Sequence, residues 1–367
     1  MMKKFILVLA FCFSCAQGDN TIQSPKNVNY SIENIHKTNY VPWSIEFIND
    51  NTFIYSERRG KMFVVTNGKS TEILGVPDVF LRNQGGLLDI ELHPNFNQNN
   101  IIYFSFSKGN KEDGANTAIA KAKLIGNTLK EISIIYQGEE LTKSSLHWGS
   151  RLQFDNQGQL FFSIGDRGNR NKNPQDINRD GGKIYRINDD GSIPVDNPFI
   201  NKNGSKKAIF SYGHRNPQGM FKHPETGEIW THEHGPRGGD EINIINAGKN
   251  YGWPEITYGI NYSGTTITRN TDLPGMEQPL YYWVPSIAPS GFDYLNSDAY
   301  DDWKGSILVG SLKFMYMERL VIEKNKVTYR EKIAENIGRV RDVKVSPDGY
   351  IYLAVDNKGI FKLNPKK

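Results

Sequence analysis

Cysteine is nearly absent from this 367-residue chain: Cys12 and Cys15 are the two, both within the first sixteen residues. No disulfide can form beyond them, so stability must come from a core rather than from covalent staples. Runs of one charge are missing as well. Lys and Arg total 44 against 40 Asp and Glu, a net charge of +4 spread along the chain. That balance implies neither nucleic acid nor an anionic membrane surface as a partner. There is also no amphipathic helical period of useful length, which argues against α/β folds. Nor is there a GxGxxG turn between strand and helix, which argues against NAD.

What is present begins with a leader. Lys3 and Lys4 precede an apolar run from Phe5 to Phe13 and then small residues, the shape of a secretory signal and too short for a membrane span. Ser14-Cys15 resembles a loose lipoprotein cleavage site, and Ser14-Cys15-Ala16 serves an ordinary signal peptidase equally well. The polar stretch Gln17 to Lys26 tips the reading to an anchored lipoprotein. The expectation is a signal over 1–16, a polar tether over 17–40 and one folded domain over 41–367. That makes an exported protein, periplasmic or outer-membrane lipoprotein, of a Gram-negative bacterium.

After the leader, one theme recurs about six times: an apolar strand, a turn of Asp, Asn, Pro or Gly, and a second strand rich in aromatic and β-branched residues. The copies begin near Ile45, Leu88, Leu152, Met220, Phe292 and Val343. The third, Leu152 to Phe162, and the sixth, Val343 to Tyr352, match in character position for position. Asp or Asn followed by Gly between alternating strands is a strong hairpin signal. The spacing fits one four-stranded antiparallel sheet per copy, and so predicts an all-β, six-bladed β-propeller in a single domain. In such a ring, loops from every blade meet at one mouth of the central channel, and chemistry is expected there.

Several loops carry more polar chemistry than a turn needs. His147 stands just before the first strand of the third copy and Asp166 just after its partner strand, so a hairpin makes them neighbours and sets up a general base with its orienting carboxylate. Ser211 to Gly219 packs His214, Arg215, Asn216 and Gln218 around glycine and proline; its charge suits a developing oxyanion. His232 and His234 invite zinc, but no third ligand follows at a convincing interval. Gly235-Pro236 with Asp240 and Glu241 instead offers carbonyls and carboxylates, the donors Ca²⁺ prefers. Arg339 and Arg341, one residue apart at a strand start, face one side and repel unless an anion sits between them. Lys313, at a strand end in the fifth copy, makes a third cation on that rim, and three call for a polyanionic small molecule.

Together the segments QGGLLDIELHPNF at 84–96, the His147 loop, GHRNPQG at 213–219, EHGPRGGDEIN at 233–243, NYGWP at 250–254, APSG at 288–291, SLK at 311–313 and RVRDV at 339–343 resemble the soluble quinoprotein aldose sugar dehydrogenases. These belong with the glucose and sorbosone dehydrogenases that use pyrroloquinoline quinone (PQQ). The resemblance runs from about Val41 to Leu363, in the family's order. It implies that His147 is the general base for the sugar's anomeric hydroxyl, with Asp166 its orienter, and that Arg215 stands beside the reactive quinone carbonyl. Gln84, Asn216, His234, Lys313, Arg339 and Arg341 take cofactor-contact positions. The carbonyls of Gly235 and Pro236 match the protein ligands of a Ca²⁺ that PQQ completes, and Glu241 with the Tyr251 carbonyl resembles a second Ca²⁺ site. The substrate implied is an aldose, oxidised to its lactone, with an external quinone or cytochrome as electron acceptor and a monomer or homodimer as the assembly. Two departures, Leu146 where glucose-type enzymes carry an acidic residue and His234 where they carry glutamine, point to the aldose-type branch with a more open pocket and a broader sugar range.

Two rivals are weighed against this. A propeller that has lost catalysis and binds protein partners has little reason to keep base, orienter and arginines together. A lactonase-type hydrolase needs an acidic calcium cage in the channel, which Lys313, Arg339 and Arg341 oppose.

Overall fold

The computed structural model describes residues 28–366. The leader expected over 1–16, with both cysteines, lies outside the described residues. Six four-stranded antiparallel sheets follow one another around a ring. Their innermost strands are Pro42–Asn49, Leu87–Leu92, Leu152–Phe154, Pro217–Lys222, Pro289–Leu295 and Val340–Val345, each beside the next, with the last against the first. Blades are numbered 1 to 6 in that order. The six copies expected from sequence are these six blades.

The ring is closed by its ends. Tyr30–His36 pairs antiparallel with Gly359–Pro365, so the outer strand of blade 6 comes from the start of the described chain and its other three from the end. The tether expected over 17–40 is therefore not all tether: it includes a strand. Unfastening this closure would expose a long sheet edge.

Local chemistry sets each hairpin. In blade 3 the Asp155 backbone N–H donates to Gln159 and Asp155 Oδ1 accepts from the N–H groups of Gln157 and Gln159. Gly158, at φ 77°, takes the left-handed turn position. Blade 6 repeats the device, with Gly349 at φ 86°. Between blades the cores are apolar and aromatic; Tyr103, Phe154, Phe162 and Tyr185 pack with Leu160, Ile164 and Ile187 between blades 2 and 3.

The axis is charged rather than apolar. Arg151 Nη1 lies 3.0 Å from Asp89 Oδ1 and 2.9 Å from Asp342 Oδ1, its Nε donates to the Gln218 carbonyl at 2.8 Å, and Asp342 Oδ2 accepts from the Ile45 N–H at 2.8 Å. One guanidinium and one carboxylate thus tie blades 1, 2, 3, 4 and 6. Burial pushes the Asp342 carboxyl up to about 6 against the pull of Arg151. A network of this kind is costly to break, because a buried charge left alone loses its solvation without compensation.

Candidate active site

Antiparallel pairing brings the residue before each innermost strand to the same end as the residue after its neighbour. At one mouth of the ring this rule gathers His147, Arg215, Ala288 and Arg339 from before first strands. Arg58, Asp166, His234, Leu312 and Asp356 come from after second strands. Two adjoining cavities open there. The larger, about 480 Å³, is lined by Arg58, Gln84, Asn216, His234, Arg339, Arg341 and Asp356, with Trp43 and Trp148 among its walls. The smaller, about 360 Å³, holds His147, Asp166, Arg215 and Pro236.

His147 and Asp166 meet as expected. His147 Nδ1 donates to Asp166 Oδ1 at 2.6 Å, and that carboxylate also accepts from Gly168 N at 2.7 Å and from Trp253 Nε1 at 2.9 Å. Burial alone would raise the Asp166 pKa, but the hydrogen bond and charge of His147, then Arg215 and the Trp253 donor, hold it below the usual carboxylate range. Burial and then the Arg215 charge hold His147 below an ordinary histidine. The ring is thus neutral at neutral pH, with Nε2 left as its basic nitrogen.

The backbone is bent to make this meeting. His147 sits at φ 54° and Gly149 at φ 63°. A Cβ on Gly165 would fall 2.3 Å from the His147 carbonyl oxygen, and one on Gly149 2.7 Å from Gly165 N. Only glycine allows the two loops to touch. Gln84 Oε1 accepts the His147 N–H at 2.8 Å, Asn216 Oδ1 accepts the Gly149 N–H at 3.1 Å, and Gln218 Nε2 donates to the Gly149 carbonyl at 2.9 Å. Gln84 and Asn216 therefore line the larger cavity and hold the base's loop as well. Arg167 donates to the Leu146 and Ser144 carbonyls, with its guanidinium 3.3 Å from the Trp148 ring centroid. It braces the loop from behind.

Arg339 and Arg341 converge, but the anion between them belongs to the protein. Arg341 Nε and Nη2 reach Asp356 Oδ1 and Oδ2 at 3.1 and 2.9 Å, and Arg339 Nε reaches Oδ2 at 3.2 Å. Neither Asp356 nor Arg58 was singled out from the sequence. Arg58 lines the same cavity with its buried Nε unpartnered, and burial, then the Arg341 charge, lower its pKa. Three guanidiniums against one carboxylate leave the cavity cationic, and a buried donor without a partner favours a ligand that brings an acceptor. Lys313 is not brought in. It lies just beyond strand Ser306–Ser311, exposed, its ammonium 4.8 Å from the Phe314 ring centroid, and it does not line the cavity.

Arg215 Nη1 donates to the carbonyls of His234 and Gly235 at 3.0 and 2.8 Å, and its guanidinium carbon stands 5.3 Å from the Trp253 ring centroid. The Gly235 carbonyl keeps a second lone pair for a cation. His232 and His234 are not paired for zinc: their Nε2 atoms face the carbonyls of Gly291 and Pro289 at 3.1 and 2.7 Å. Glu241 and Tyr251 line a small pocket with Glu233, and burial, then the Glu233 charge, push the Glu241 carboxyl well up. Among the described residues no group of three or more His, Cys, Asp or Glu forms a metal cage, so a Ca²⁺ here would depend on carbonyls.

The chain is a propeller of the sugar dehydrogenase class. The family model described as Glucose / Sorbosone dehydrogenase matches residues 40–362, and the chain belongs to that family. It is 38% identical to the aldose sugar dehydrogenase YliI of Escherichia coli (strain K12), over 99% of each chain. The apo-form crystal structure of the soluble aldose sugar dehydrogenase from Escherichia coli superposes with a TM-score of 0.87 at 36% identity, covering 92% of this chain and all of that one. The PQQ-bound aldose sugar dehydrogenase of Streptomyces coelicolor superposes at 0.76 with 25% identity, covering 93% and 99%.

Proposed function

We propose that this protein is a PQQ- and Ca²⁺-dependent aldose dehydrogenase that oxidises the anomeric hydroxyl of a broad range of sugars to the lactone and passes the electrons to an external quinone or cytochrome. The observation that carries the reading is the cationic, tryptophan-walled cavity of Arg58, Arg339 and Arg341 adjoining the His147–Asp166 pair. A flat, tricarboxylic cofactor suits that donor set, and its carboxylates suit the unpartnered Arg58 Nε in particular. The PQQ-bound relative supports the same cofactor.

When bound, PQQ supplies a hydride acceptor and Ca²⁺ a Lewis acid on it. Arg58, Arg339 and Arg341 would hold the cofactor's carboxylates, and the Gly235 and Pro236 carbonyls the cation. His147 Nε2 takes the proton of the anomeric hydroxyl as the C1–H bond breaks. Asp166, accepting from Nδ1, keeps that tautomer and stabilises the imidazolium. Arg215 adds positive charge where negative charge grows.

The test is reconstitution. Purified apoprotein mixed with PQQ and Ca²⁺ should reduce a dye in the presence of aldoses, whereas either component alone, or NAD, should not support turnover. Full activity after exhaustive chelation without PQQ would refute the cofactor assignment. PQQ binding without turnover of any sugar would favour a non-catalytic binding module.

A further inference from the structure

The smaller cavity has an electrostatic bias that a neutral sugar does not use. Its single carboxylate, Asp166, is spent on His147, Gly168 and Trp253. Arg215 is engaged with two carbonyls at the inner side. A second guanidinium, that of Arg170, also lines the cavity, while Leu146, Asn169, Asn171 and Tyr262 add no charge.

The one described hydrogen bond of Arg170 runs from Nη1 to Asn261 Oδ1, at 2.7 Å. Asn261 is fixed in turn: its Nδ2 donates to Thr265 Oγ1 at 3.0 Å and to the Thr266 carbonyl at 3.3 Å, and its N–H donates to the Thr265 carbonyl at 2.9 Å. The acceptor that holds Arg170 is therefore neutral and locked. No carboxylate among the described residues pairs with this guanidinium, and its Nε and Nη2 have no described partner. A half-buried arginine anchored through one nitrogen, with two donors to spare, matches a carboxylate or phosphate with two parallel hydrogen bonds.

We propose that the preferred substrates are aldoses carrying an anionic group remote from the anomeric carbon, a carboxylate as in a hexuronic acid or a phosphate monoester, with Arg170 as the specificity-determining residue. In a hexopyranose C1 and C5 flank the ring oxygen, so the anomeric hydroxyl and the group at C6 project from the ring in divergent directions, and His147 and Arg170 are both walls of the one cavity that would receive them. The anion thus rests on Arg170 while the anomeric hydroxyl faces His147, and it takes no part in the redox step. This rests on the dehydrogenase reading above: the C1 hydride leaves to the quinone cofactor and the hydroxyl proton to His147.

The experiment has two arms. The full-length apoprotein is titrated with glucuronate, glucose 6-phosphate and glucose, following tryptophan fluorescence at low salt. The holoenzyme's kcat/KM is then measured for the same three. The charged sugars should bind more tightly than glucose and show kcat/KM about ten- to a hundredfold higher, the effect of one charged hydrogen-bond pair. Whichever of carboxylate and phosphate shows the larger ratio identifies the anion. Arg170→Gln should collapse that ratio towards one, Arg170→Lys should keep part of it, and added salt should shrink it. Equal kcat/KM for charged and neutral sugars, or a ratio untouched by Arg170→Gln, would overturn the proposal and leave the dehydrogenase reading standing. Failure to oxidise any aldose would overturn both.

Discussion

Arg341 and Asp356 form a two-pronged ion pair at the wall of the larger cavity, Nε to Oδ1 at 3.1 Å and Nη2 to Oδ2 at 2.9 Å. The aspartate fixes the guanidinium's plane, and Arg339 shares the same carboxylate from a more exposed position, its side chain 51% accessible against 14% for Arg341. Desolvated charged contacts are worth more than exposed ones. Arg341→Ala and Arg58→Ala should each weaken PQQ affinity about ten- to a hundredfold, the loss of a charged hydrogen bond. Arg339→Ala should cost less, and Lys313→Ala, whose ammonium lies away from the cavity, within about threefold. Turnover at saturating cofactor should change little, since the gripped carboxylates keep their charge through the reaction. Fluorescence titration with PQQ measures all four, and a Lys313 loss equal to that of Arg341 would contradict the geometry.

For the base, the expected signature is in the pH profile. His147→Ala should lower turnover by about 10² to 10⁴ while cofactor affinity stays within a few fold, and Asp166→Asn should do less. Because burial and Arg215 hold His147 below its ordinary 6.5, kcat/KM should climb as pH rises through a value under 6.5 and then level off. Steady-state rates between pH 4 and 8 decide this; an acid limb centred above 7 would exclude His147 as the base.

Much of this was legible in the chain because the propeller writes its period into the sequence. The Asp-Asn-Gln-Gly turn after Phe154 and the Ser-Pro-Asp-Gly turn after Val345 mark the hairpins, and His147 with Asp166 could be paired from hairpin geometry alone. What stayed hidden depends on contacts around the ring. Asp356 follows Ile351–Val355 and Arg58 follows Thr52–Glu57, positions equivalent to that of Asp166 in blade 3, yet neither sits in a conspicuous motif. Reading every residue just beyond a second strand would have found both. Lys313 shares the rim by its strand end, but its ammonium stands over the Phe314 ring rather than in the cavity lining, a side-chain direction that strand position does not fix. The closing strand Tyr30–His36 was missed because its partner lies more than three hundred residues away.

The glycine contact behind the base is also testable. A methyl at position 165 would sit 2.3 Å from the His147 carbonyl and 2.8 Å from Asn216 Oδ1, far inside normal contact. Gly165→Ala should destabilise the fold by about 1 to 3 kcal/mol through overpacking. It should also lower kcat by pushing His147 off Asp166. Thermal melts and holoenzyme assays read the two effects separately. Wild-type values in both would mean that the loops are free to part.

Acid should unfold this protein partly through a histidine that lines neither cavity. His232 is fully buried in blade 4, its Nε2 facing the Gly291 carbonyl at 3.1 Å and its Nδ1 without a partner. Burial lowers its pKa to about 3, the Gly291 hydrogen bond opposing and Arg151 adding repulsion. The unfolded chain titrates near 6.5, so this neutral histidine's contribution is fully present above pH 6.5 and is lost as pH falls from there towards 3. The unfolded state binds the proton first, and stability drops by about 1.4 kcal/mol per pH unit for each such group. Asp342, pushed up to about 6, works in the opposite direction, taking its proton in the folded state as pH falls from 6 to the usual carboxylate range. The comparison must therefore be between variants. His232→Gln keeps an amide donor for Gly291 and removes the titration. Denaturant melts between pH 6.5 and 4 should show a shallower loss of stability for His232→Gln than for wild type, by close to one proton. Identical slopes would mean that His232 is already protonated in the folded state, and the carbonyl-facing neutral tautomer would be wrong.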